Sequence, residues 1–182
     1  MNIPDEDLLE QLSDPKTKGP AFSKLVRLWQ ERIYWHIRKM VLSHDDANDV
    51  MQNTFMKAWN GIDSFRGDSQ FSTWLYRIAT NETLTFLTSK KLKNIHSMED
   101  EESVLLSQLK ADSYFDGNEV ELKLQEAILT LPEKQRLVFN MKYFDDLTYE
   151  HMEEILGTSV GALKASYHHA VKKIERFFEE SE

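Results

Sequence analysis

The chain has 182 residues, 41% of them hydrophobic, and a net charge of −9. That is enough for one domain or two small ones. It contains no cysteine, which excludes a disulfide scaffold, a thiolate nucleophile and a cysteine-based zinc site. No run of eighteen apolar residues occurs, so no membrane span or insertion is expected, and the acidic opening MNIPDEDLLEQLSD is unlike a secretory or transit peptide; a cytoplasmic home is the default.

The charge is unevenly spread. Residues 1–19 sum to −3, 20–93 to +4, 94–123 to −6 and 124–182 to −4. A chain this acidic should bind duplex DNA poorly by itself, because neutralising phosphates drives most non-specific affinity. Residues 1–19 read as an acidic N-terminal segment. From Ala21 to Leu42 the apolar residues Phe22, Leu25, Val26, Trp29, Ile33, Ile37, Met40 and Val41 form a helical stripe. Ser43 with Asp46 three residues later fits a capping box. A helix follows from about Asp45 to Asn60, with Gly61 as its stop.

Next comes SFRGDSQFSTWLYRIATNE, from position 64. A short polar loop with a glycine stands between Phe65 and a helix, about Gln70 to Ser89, that carries Phe71, Trp74 and Tyr76, then Arg77 and Asn81. This is either a loop before an ordinary core helix or a platform for an unstacked nucleic-acid base. Residues 94–118 are polar and acidic and read as a linker.

A second bundle, 119–182, begins with EVELKLQEAILTL, ended by Pro132, and a helix from about Glu133 to Phe144. Thr148 is a good N-cap, Gly157 sits where a helix must stop, and Ser159 caps a last helix reaching about Phe178. A short helix, a glycine turn and a longer helix make a helix-turn-helix, whose second helix can enter a major groove. The expected fold is all-α: two small helical bundles joined by an acidic linker, the second holding the helix-turn-helix.

Three blocks, DDANDVMQNTFMKAW (45–59), FRGDSQFSTWLYRIATN (65–81) and LPEKQRLVFNMKYFDDLTYEHMEEILGTSVGALK (131–164), together resemble the small two-domain, extracytoplasmic-function sigma factors of bacterial RNA polymerase. The resemblance implies that 20–93 docks on core polymerase and reads a melted minus-ten element, and that 119–182 reads a duplex minus-thirty-five element. It places polymerase docking on Asp49, Gln52, Asn53 and Phe55. It places minus-ten recognition, with a base flipped into a pocket, on Ser64, Phe65, Arg66, Gly67, Asp68, Ser69, Gln70, Phe71, Ser72, Trp74, Arg77 and Asn81. It places minus-thirty-five recognition on Ser159, Val160, Gly161, Ala162, Lys164, Ala165, Tyr167 and His168. Core RNA polymerase and promoter DNA are the implied partners, with an anti-sigma factor as a further one. No catalytic residue, metal or cofactor is implied.

The residues themselves admit plainer readings. Phe55, Trp59, Phe71 and Trp74, taken singly, are core residues on apolar stripes. His168 and His169 are adjacent, so on a helix they diverge by about 100° and do not converge on a metal with His151. An autonomous helix-turn-helix regulator is the runner-up function; the acidic charge and the docking block argue against it. No nucleophile–base–acid arrangement supports an enzyme. The chain also departs from the family. Glu153 stands where a small residue is usual near the crossing of the two helix-turn-helix helices, and must reach solvent or a partner at the risk of loosening the unit. Ser166 and His169 replace usual arginines, and Asn53 a usual acid.

Overall fold

The computed structural model describes residues 6–65, 67–93 and 119–180; Arg66 and the linker 94–118 lie outside them. Among the described residues all regular structure is helical. The first helix, α1 (Glu6–Gln11), was not expected in the acidic segment. It is explained by Leu8 and Leu12, four residues apart on one face and both buried in the main core. Thr17 ties it down by donating its hydroxyl to the Gln11 carbonyl at 2.7 Å.

Helix α2 (Lys18–Val41) buries the stripe Ala21, Phe22, Leu25, Trp29, Ile33, Ile37 and Met40. His36 lies in the same buried face. The helix ends at Leu42, left-handed at φ 62°, whose N–H reaches the Arg38 carbonyl. Ser43 then caps α3 (His44–Gly61), its side chain accepting the Asp46 N–H at 3.3 Å. A single 3-10 turn (Ile62–Ser64) and the loop lead into α4 (Phe71–Lys93). Helices α2, α3 and α4 pack on one another around Trp29, Phe71, Leu75 and Ala79.

The second bundle comprises α5 (Glu119–Leu129), α6 (Glu133–Tyr143), α7 (Tyr149–Leu156) and α8 (Val160–Glu180). Thr148 accepts the His151 N–H at 3.2 Å and starts α7. Gly157 closes it at φ 65°, its N–H on the Glu153 carbonyl at 2.8 Å; that conformation suits glycine because it lacks a Cβ. Ala127, Ile128, Leu131, Phe139, Ala170 and Ile174 form a core of this bundle's own.

The two bundles are not merely tethered. Leu137, Val138, Met141, Leu147, Met152 and Ile155 join the same apolar cluster as the α2 and α4 residues. Helix α7 lies on α4, and α6 on α2.

Candidate nucleic-acid interface

The loop after the 3-10 turn is shaped by local bonds. Ser64 donates to the Gly61 carbonyl at 2.7 Å, and Gly67 takes a positive φ of 76°. The Lys18 ammonium grips Asp63 at 2.6 Å and lies 4.7 Å above the Trp59 ring, anchoring the entry to the loop on α2. Beneath the loop three aromatic rings form a triangle: Phe65 to Phe71 at 5.8 Å, Phe65 to Trp74 at 5.2 Å and Phe71 to Trp74 at 5.6 Å.

The rings differ in access. Phe65 and Trp74 are half-buried, while Phe71 and Ser72 are buried at 3% and 5% exposure. Phe71 therefore supports the platform from below, and Ser72 is set in the helix packing. Gly67, Asp68 and Gln70 are exposed and Ser69 half-buried. The Gln70 carbonyl accepts the Trp74 N–H at 3.1 Å, so Gln70 helps start α4. Arg77 and Asn81 follow one turn apart on its exposed surface. Arg66 lies outside the described residues.

A cavity of about 300 Å³ opens beside the loop, lined by Leu12, Ser13, Ile62, Asp63 and Phe65. Sequence reasoning missed Leu12 and Ser13, because some fifty positions separate them from the loop and no local pattern links the two. Arg77 has a partner that sequence reasoning also missed: its guanidinium donates to the Glu154 carbonyl on α7 at 2.6 Å.

On α3, Asp49, Gln52 and Asn53 are exposed together, while Phe55 turns toward the core as a half-buried ring. Met56 shares their face, being four residues beyond Gln52, and is 58% exposed. An exposed methionine in register with these polar residues is a signal the sequence held but that only burial makes visible.

In the helix-turn-helix, Gly161, Ala162, Lys164, Ala165 and His168 are exposed, and Val160 is half-buried. Tyr167 does not join that surface. It turns inward and stacks on Phe139, with ring centres 5.7 Å apart and planes at 14°. Its position explains this: Leu163, Tyr167, Ala170 and Ile174 fall on one stripe. Burial raises the Tyr167 and Tyr149 phenols above their ordinary range, so both stay protonated near neutral pH. Lys164 sits 5.6 Å from the Tyr149 ring, which holds its ammonium beside the start of α8.

Glu153 reaches a partner within the unit. Its Oε1 accepts the Val160 N–H at 3.2 Å, and Ser159 accepts the Ala162 N–H at 3.4 Å. Two of the free N–H groups at the start of α8 thus already have acceptors, one of them a carboxylate. Among the described residues no group of three His, Cys, Asp or Glu side chains is placed to hold a metal ion. No helix among them is long and apolar enough to cross a membrane.

Comparison with known proteins agrees with this arrangement. Residues 25–92 match the family Sigma-70 region 2, and residues 121–174 match Sigma-70, region 4. The chain is 35% identical to the ECF RNA polymerase sigma factor SigW of Bacillus subtilis, over 81% of this chain and 83% of that one. It is 31% identical to the ECF RNA polymerase sigma-E factor of Haemophilus influenzae, over 95% and 94%. Among solved structures, CnrH in complex with the cytosolic domain of CnrY shares the fold with a TM-score of 0.71 at 20% identity, covering 98% of this chain and 99% of that one. RpoE of Bartonella quintana in complex with the anti-sigma factor NepR does so with 0.67 at 19%, covering 87% and 96%. An exposed polar face on α3, an aromatic cluster on α4 and a helix-turn-helix follow in that order on one chain that matches both sigma regions, and those matches mean that this protein belongs to the ECF family of RNA polymerase sigma factors.

Proposed function

We propose that the chain binds bacterial core RNA polymerase and directs it to promoters, with 20–93 reading the melted minus-ten element and 119–182 the duplex minus-thirty-five element. The observation that carries the reading is the aromatic triangle under the Gly67 loop, with Asn81 exposed two turns further along the same helix. Extruding a base from a duplex costs a few kcal/mol. Stacking on an aromatic ring returns about 1–3 kcal/mol per base, and Phe65 and Trp74 are the rings with accessible area.

Asp49, Gln52, Asn53 and the neighbouring Met56 are the proposed polymerase contacts, with Phe55 holding their helix in place. Gly161, Ala162, Lys164, Ala165 and His168 are the proposed groove-facing residues. Ser159 and Val160 set the start of that helix. The role is recognition: nucleotide transfer belongs to the polymerase, and the chain would act in the cytoplasm where polymerase works. An anti-sigma factor is a proposed regulator, supported by two proteins of this fold that were solved with bound partners.

Titration of the labelled protein with purified core polymerase, read by fluorescence anisotropy, tests the reading. Saturable binding at nanomolar concentration, displaced by another sigma factor, is the expected result. A folded chain that does not bind core, yet footprints a palindromic site unaided, would replace this reading with that of an autonomous regulator.

A further inference from the structure

Two DNA-reading elements that a promoter holds far apart lie against each other in this chain. Minus-ten and minus-thirty-five elements are about 25 base pairs apart, or about 85 Å along straight duplex at 3.4 Å per step. Here Arg77 of the minus-ten face bonds to Glu154, inside the helix-turn-helix, at 2.6 Å. The closed arrangement and simultaneous reading of both elements exclude each other.

The contact between the bundles is built rather than incidental. At its centre the Asp145 carboxylate takes His36 Nδ1 at 2.6 Å on one oxygen and the Lys39 ammonium at 3.0 Å on the other. The Asp145 and His36 side chains are 4% and 1% exposed. His36 Nε2 meets the Thr80 hydroxyl at 3.0 Å, which links α2 and α4 to the same group. Asn140 reaches across to the Lys39 carbonyl and the Met40 sulfur. Burial pushes the Asp145 carboxyl up, but the charge and hydrogen bonds of His36, and then of Lys39, overcome this and hold it below its ordinary range. The Tyr76 phenol is pushed far up by burial and by Asp145. A buried carboxylate is tolerated only with such partners, and these come from the other bundle.

Two further facts favour closure. The segment 20–93 carries +4 and 124–182 carries −4, so the bundles attract. The connection 94–118 could extend to about 80–90 Å at 3.3–3.6 Å per residue, so it does not force the bundles together; the contacts do. The α3 face with Asp49, Gln52, Asn53 and Met56 stays exposed.

We propose that Asp145, clasped by His36 and Lys39, is an autoinhibitory latch that holds the helix-turn-helix bundle against α4 at Arg77 in the free chain, leaves the polymerase-docking face open, and must break before the two elements of a promoter are read together. The latch rests on the sigma-factor reading only for what it prevents, the spreading of two reading elements along one promoter. Its closure is a property of the chain alone.

The absence of cysteine allows clean labelling through Gln30→Cys and Lys173→Cys, both exposed positions on opposite bundles. Single-molecule energy transfer should show the free chain closed, with high transfer, and the chain in a polymerase–promoter complex open. Asp145→Ala should raise the open fraction of the free chain by about a hundredfold or more, as expected for removing one partner of a buried ion pair. His36→Leu with Asp145→Leu should close it again, because apolar residues replace such a pair without loss. A free wild-type chain as open as the promoter complex, or an Asp145→Ala chain as closed as wild type, overturns the latch. Far-UV circular dichroism checks folding; if Asp145→Ala fails it, Lys39→Met, which keeps His36 on Asp145, must show the same direction of change. Failure to bind polymerase would instead refute the proposed function and leave the free-chain comparison standing.

Discussion

Replacing Glu153 should weaken the fold and strengthen DNA binding at once. Its carboxylate accepts the Val160 N–H at 3.2 Å on an exposed surface. An anion at a helix N-terminus contributes about 0.3–1 kcal/mol, so Glu153→Ala should lower the melting temperature by about 1–4 °C in a chain of this size. The same carboxylate stands where a DNA phosphate would approach the start of α8. At about 6 Å, two like charges in water repel by about 0.7 kcal/mol, and screening at physiological salt roughly halves this. Removing the charge also frees a backbone N–H for phosphate, a bond worth about 1 kcal/mol net. Together these predict about three- to tenfold tighter binding of the upstream element by holoenzyme. Glu153→Gln keeps the acceptor and loses the charge; its melting temperature should fall less than that of Glu153→Ala, and its binding should gain about twofold. Anisotropy with a promoter fragment selected by the holoenzyme, at two salt concentrations, gives the comparison, and the gain should shrink as salt rises. Weaker or unchanged binding in both folded variants would refute the reasoning.

Asn81 is exposed, so Asn81→Ala should leave melting and core-polymerase binding unchanged. It should slow promoter opening by about tenfold, the worth of one hydrogen bond; permanganate reactivity of the melted strand reads this, and an equal loss of core binding would count against the pocket. Asp145 is held below the ordinary carboxylate range by His36 and Lys39 against its burial, with Tyr76 facing it. Its stabilisation is therefore present above about pH 4 and lost as pH falls through the lowered value. The stability gap between wild type and Asp145→Asn, from urea unfolding, should persist down to about pH 4 and shrink below it; a gap that widens toward pH 3 contradicts the ion-pair account.

What the sequence revealed was local. The α2 stripe, the Ser43 and Thr148 caps and the Gly157 stop each depend on residues within a turn or two, and each appears where expected. Tyr167, placed by family resemblance among the minus-thirty-five residues, stacks on Phe139 instead of lying with the exposed residues of α8, a contact across 28 positions that no local pattern shows. Phe71 likewise belongs to the core side of α4 with Leu75 and Ala79. Helix α1 was illegible because two leucines do not establish a period. The contact between bundles was illegible for a different reason. His36 and Asp145 are 109 residues apart, and Arg77 and Glu154 are 77 apart, so no window contains both partners. The single clue was His36 itself, a polar side chain on the buried stripe of α2 between Ile33 and Ile37. Such a residue demands a partner, but nothing nearby in the chain says which.

The closed arrangement also bears on the order of events at a promoter. In the free chain, DNA meets a molecule of net charge −9 whose Arg77 is already occupied by Glu154. Phosphate neutralisation, the main source of DNA affinity, is therefore weakest when the chain is alone. The proposed polymerase-docking face on α3 meets no such obstacle, because it stays exposed in the same state. Under the proposed latch, polymerase binds first, through the exposed α3 face. Separating the bundles afterwards exposes the more basic segment and Arg77 beside an enzyme that already holds DNA. The acidity of the chain, which argued against DNA binding when read as a total, then acts as a safeguard against promoter occupancy without polymerase.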